Sequence, residues 1–244
     1  VETSTHAAPI IVCHDHRGSP DECRPRPWNL DGPTPGDLAI VYGHGAGDDA
    51  YKPEKVKSAV SYLASGERRD SKVVHPAKNA LVEPAQDAVA LTVILDNGVW
   101  TKGPDGKSVN RPKSQVPGAQ SASRSIKINT TILKSGAASR PTGQGLEIVA
   151  LADPMTLKMG DDLPVQAFAD GKPLAGVPLY VDYVNDGHAQ SNKTDQDGKV
   201  TLFVRNDGLN VIGVSHAKKM PDNAEVDQMS YFATLSFTLP HGED

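Results

Sequence analysis

Three histidines stand beside apolar runs, and imidazole is the side chain best suited to holding a transition metal in a chain of this composition. His6 precedes APIIV, His44 closes LAIVYGHG between two glycines, and His216 follows LNVIGVS. Each run has the length and residue types of a strand, so each histidine is expected beside one. His44 and His216 are expected at strand ends, where a rigid sheet can fix a ligand in place. Neutral imidazole nitrogens suit zinc, nickel, cobalt and copper alike, and bind zinc at about 2.0–2.1 Å. A water, Asp48 or Asp49 would complete such a shell. The competing reading is that each histidine packs at a sheet edge and bonds a backbone carbonyl, because nothing local links the three.

Cys13 and Cys23 flank a second group, CHDHRGSPDEC, with His14 and His16 between them. In an oxidising compartment the pair is most simply a disulfide closing a short loop. The alternative is a metal knot with the two histidines, although Cys-His-x-His-x6-Cys is not a standard zinc spacing. No nucleophile elbow, zinc-protease helix, phosphate loop or dinucleotide fingerprint occurs, so the chain is not expected to be an enzyme. TDQDGK, Thr194–Lys199, lacks the ligands of a calcium loop and reads as a hairpin turn around Asp197-Gly198. His75, His188 and His241 are expected on the surface.

The elements that must position these residues read as short strands. Leu38–Tyr42 is the first clear one, and PEKVKSAVSYLA from Pro53 is taken as a strand rather than a helix. Ala88–Leu95, AVALTVIL, is a buried strand. NGVWTKGPDGKSVNRPKSQVPGAQSAS is expected to be one long loop, and SIKINTTIL from Ser125 a half-exposed strand. KSGAASRPTGQG, Lys134–Gly145, reads as a linker. Beyond it about seven strands, separated by Asp-Gly and Gly-Lys-Pro turns, match an immunoglobulin- or transthyretin-like sandwich. The fold is therefore expected to be all-β, with two β-sandwich-like domains. Residues 1–140 would carry the cysteine loop and the long Gly/Pro/Lys loop, and residues 141–244 the immunoglobulin-like sandwich.

A formal net charge of -5 and a pI near 5.9 argue against nucleic acid. The longest apolar run is far short of the roughly 20 residues that span a bilayer, so a membrane-spanning helix is not expected. The chain starts VETSTHA without methionine and is expected to be a processed product whose signal peptide has been removed.

In this order, several phrases resemble a family of bacterial exported proteins, domains of unknown function linked to nickel uptake as a substrate-specific component. They are His6, then Gly43-His44-Gly45 with YKPEKV, NGVWTKGPDG with NRPKSQVPGAQ, GLEIVALADP, DGKPLAGVPL, KTDQDGKV, VSHAKK and ATLSFTLP. The resemblance implies a periplasmic, non-enzymatic protein that binds or delivers a divalent transition metal ion, with His44 and His216 sharing the ion and His6 as a third ligand. The implied partner is a TonB-dependent receptor or another metal transporter component. The alternative is a structural or interaction module near an outer-membrane receptor, its histidines merely structural.

Overall fold

The computed structural model describes residues 8–13, 38–43, 51–75, 80–137 and 141–239. Alternating and continuously apolar runs become seventeen strands: β1 (Ala8–Cys13), β2 (Leu38–Gly43), β3 (Val56–Leu63), β4 (Arg68–Asp70), β5 (Lys72–Val74), β6 (Ala80–Glu83), β7 (Ala88–Lys102), β8 (Ser108–Val109), β9 (Ser121–Ile132), β10 (Leu146–Ala150), β11 (Asp162–Ala169), β12 (Lys172–Pro173), β13 (Pro178–Asp182), β14 (Asp186–Lys193), β15 (Lys199–Phe203), β16 (Leu209–Lys219) and β17 (Gln228–Thr238). Three 3-10 turns are the only helical elements among the described residues. The fold is all-β, as expected. None of these elements is a helix long and apolar enough to cross a membrane.

A nine-stranded sheet runs β14-β13-β16-β17-β9-β7-β3-β4, with β8 beside β7. One of its faces packs on a four-stranded sheet of β10, β11, β12 and β15. There Leu146, Ile148, Leu163 and Val165 meet Ile128, Ile212, Val214 and Leu235. The other face packs on a second four-stranded sheet, β1-β2-β6-β5, where Leu38, Ile40 and Val82 meet Ala59, Leu91 and Val93. β7 is thus buried on both faces, which explains its unbroken apolar run.

The halves expected on either side of residue 140 share this sheet. β9 and β17 form a parallel ladder from Ser123↔Gln228 to Ile132↔Phe237, so residue 140 does not divide the main sheet. Nothing local in either strand announces a partner about a hundred residues away.

Two local expectations differ from the structure. NGVWTK is strand rather than loop: β7 continues through it across a bulge between Asp96 and Gly98, and Gly98 takes φ +84° there, a conformation that glycine tolerates without penalty. The remaining loop is anchored. The Lys113 N–H donates to the Glu225 carbonyl at 3.1 Å, and Ser114 Oγ donates to Glu225 Oε2 at 2.6 Å. β9 is not half-exposed, because Lys127, Asn129 and Thr131 on its polar face are all buried. The hairpin at Asp195–Lys199 is as expected, with Asp195 Oδ1 accepting from the N–H groups of Asp197 and Lys199.

Candidate functional site

His216 lies within β16, which continues three residues past it because β17 runs alongside as far as Gln228. It sits directly opposite Tyr231 and is half-buried. The β16–β17 register is unbroken, so strand alternation puts His216 on the face of Ile212 and Val214. That face meets the β10–β11 sheet. Two residues on, Lys218 Nζ pairs with Asp170 Oδ2 at 3.0 Å. Among the described residues, no group of three or more His, Cys, Asp or Glu is arranged to hold a metal.

His6, His44, Asp48 and Asp49 lie outside the described residues, but the strands that lead to two of them do not. β1 and β2 pair antiparallel from Cys13↔Leu38 to Ala8↔Gly43. His44 is bonded to Gly43, and His6 is two residues before Ala8. The chain rejoins the described structure at Tyr51, whose hydroxyl donates to the Ile40 carbonyl and accepts from the Ala80 N–H, each at 2.8 Å.

This ladder packs on the face of the main sheet opposite to His216. Val41 joins the cluster of Tyr183, Val211 and Phe232, and Tyr42 packs on Leu95. The structure pairs Ala8 with Gly43 and places His216 on the opposite face of the main sheet from β2. Cys13 ends β1 opposite Leu38. Cys23, His14, His16 and His241 lie outside the described residues. His75 and His188 are exposed, and His188 belongs to β14 rather than to a turn.

Beneath the ladder lies a polar layer that sequence reasoning missed. Asn129 Nδ2 donates to Thr234 Oγ1 at 2.9 Å and to Ser236 Oγ at 3.1 Å. Thr131 Oγ1 donates to Asn129 Oδ1 at 2.8 Å. Lys127, only 4% exposed, stands beside Leu95 and Phe232 in register. Its ammonium lies 5.5 Å from the Phe232 ring centroid, within cation–π range. Burial pushes this amine down to about 8. Its alternation with Ile126 and Ile128 is the pattern of an ordinary surface lysine, so only the covering sheet reveals it.

A family model described as a domain of unknown function, DUF4198, matches residues 24–218. The chain belongs to that family. A protein of Haemophilus influenzae (strain ATCC 51907 / DSM 11121 / KW20 / Rd), named only as an uncharacterized protein, is 26% identical over 201 residues, covering 82% of this chain and 84% of its own length. No solved structure matches.

Proposed function

We propose that this DUF4198 chain is a periplasmic accessory of transition-metal uptake that binds a divalent ion, zinc, nickel, cobalt or copper, through histidines. The observation that carries the reading is the pairing of Ala8 with Gly43, which are sequence neighbours of His6 and His44. Two imidazoles from one strand pair, with a water or a carboxylate from Asp48 or Asp49, make a partly open shell that can release its ion to a partner. That partner is a TonB-dependent receptor or another transporter component. The protein performs no reaction on its cargo.

His216 is the expected partner of His44, with His6 as the third ligand. The position of His216 on the sandwich face opposite Tyr231 favours a second reading for that residue, a structural imidazole of a binding module. Titration of metal-free, untagged protein with zinc, nickel and copper decides both points. His44→Ala and His6→Ala should each weaken binding roughly tenfold or more, since each removes a direct ligand. Affinity should fall as pH drops through the histidine range, because protons compete for the same nitrogens. If His6→Ala, His44→Ala and His216→Ala all keep wild-type affinity and stoichiometry for every ion, the metal reading fails and the interaction-module reading stands.

A further inference from the structure

A groove of about 540 Å³ opens beside the β7 bulge, with Tyr51, Lys52, Lys55, Lys57, Asp96 and Asn110 among its walls. Its volume falls within the range of about 300–1,000 Å³ common for small-molecule sites. Three ammonium groups come from six consecutive residues. The Pro53–Lys55 3-10 turn, closed by the Lys55 N–H on the Lys52 carbonyl at 3.0 Å, brings Lys52 and Lys55 to one side, and Lys57 follows at the start of β3. Lys55 Nζ donates to Asn97 Oδ1 at 2.5 Å, and Lys57 Nζ donates to the Glu54 carbonyl at 2.7 Å. Both acceptors are uncharged.

Two carboxylates, Asp96 and Glu54, face these three ammonium groups in the lining. Asp96 accepts from Arg124 Nη2 at 2.5 Å and Nε at 3.1 Å, and from the Gly98 N–H at 2.9 Å, so its charge is already matched. Glu54 is the other acid in the lining. Among the described residues, none of the three lysines makes an ion pair. Burial, then the like charge of Lys52, lowers the Lys55 amine. The groove is thus locally positive on a chain whose formal net charge is -5. Its floor is held by the bulge: Asn110 Nδ2 donates to the carbonyls of Asn97 and Val99, each at 3.1 Å, and a Cβ at position 98 would meet that amide at 3.0 Å.

We propose that this groove binds a small oxyanion, either phosphate or the carboxylates of a small organic acid. An anionic oxygen would give the Lys55 and Lys57 ammonium groups an opposite charge, which their present neutral acceptors do not supply. Lysines act as point charges without the planar fork of arginine, so the shared chemistry is the negative oxygen rather than one anion's shape. None of the groove residues is one of the three histidines, so the inference stands independently of the metal reading.

The test is calorimetric titration of the full, metal-free chain with sodium phosphate and with sodium citrate, at ionic strength held constant by sodium chloride. Saturable one-to-one binding of at least one anion is expected. Lys55→Met and Lys57→Met should each weaken it tenfold or more. Lys193→Met, on β14 at the far edge of the main sheet, should leave it unchanged, and urea midpoints should verify that all variants are folded. Binding of citrate alone assigns the groove to organic acids, binding of phosphate alone assigns it to phosphate, and binding of both assigns it to oxyanions generally. No saturable heat for either anion, or wild-type affinity in folded Lys55→Met and Lys57→Met, overturns the proposal.

Discussion

Replacing Lys127 with methionine should stabilise the protein, and the gain should depend on pH in a defined way. The side chain is 4% exposed, and burial lowers its amine from 10.5 to about 8. At 1.36 kcal/mol per pH unit, that fall corresponds to about 3 kcal/mol for holding the ammonium in the folded state. The figure is an upper estimate, because the contact with the Phe232 ring recovers part of the cost. Between pH 8 and 10.5 the unfolded chain holds this proton while the folded chain has lost it, so the wild type gains stability from this group as pH rises. Below pH 8 both states are protonated and the cost is fully present. Methionine keeps a similar unbranched stem without the charge. Lys127→Met should therefore exceed the wild type by up to about 3 kcal/mol at pH 7, and the difference should close towards pH 10.5. Urea unfolding at several pH values between 7 and 10.5 measures it, and other titrating groups cancel in the comparison. A variant less stable than the wild type at pH 7, or a difference that does not change with pH, would refute the reasoning by showing that the ammonium is compensated in the fold.

Other expectations follow from single side chains. Glu147, 2% exposed, accepts from the Thr142 N–H at 2.6 Å, Thr142 Oγ1 at 2.8 Å and the Gly143 N–H at 3.1 Å. Glu147→Ala should cost roughly 2–3 kcal/mol in urea unfolding, because it strands these donors. Asp227 is held below the usual carboxylate range by its bond from Lys113 and by the Ala122 N–H. Its contribution is present above the ordinary carboxylate value and lost as pH falls through the lowered one. Hydrogen exchange at residues 113–118 should accelerate in Asp227→Asn at neutral pH, and unchanged protection would show that Glu225 anchors the loop alone. Thiol titration of unfolded, unreduced protein from an oxidising compartment should find Cys13 and Cys23 unreactive. Their loop would contribute about 3 kcal/mol or less, and two reactive thiols would favour the knot with His14 and His16.

Much of the strand pattern is legible in the residues, since period-two alternation and Asp-Gly turns are local. β2, β3, the first half of β7 and the hairpin around Gly198 fall where those signals put them. Pairings between distant strands are not local. Lys127, Asn129 and Thr131 alternate with apolar neighbours as a solvent-facing edge would, and only the sheet laid across them turns that edge into an interior. The Asn97-Gly98 step carries a turn signal, yet here glycine serves a bulge within a continuing strand.

The same limit governs the histidines. A histidine after an apolar run is next to a strand, but the function depends on which face it takes. On β16 every residue from Asn210 to Val214 is buried, so both parities are apolar or covered and the residue pattern does not tell which sheet the face of His216 meets. Its position follows from the ladder with β17 and from the two sheets that sandwich the pair. For His6 and His44 the deciding fact is likewise a register, Ala8 against Gly43, across thirty-five positions of chain. A metal-ligand set drawn from strand ends in a layered β-fold is a property of topology. Titration of the His6→Ala, His44→Ala and His216→Ala variants decides between a His6–His44 site and a His44–His216 site.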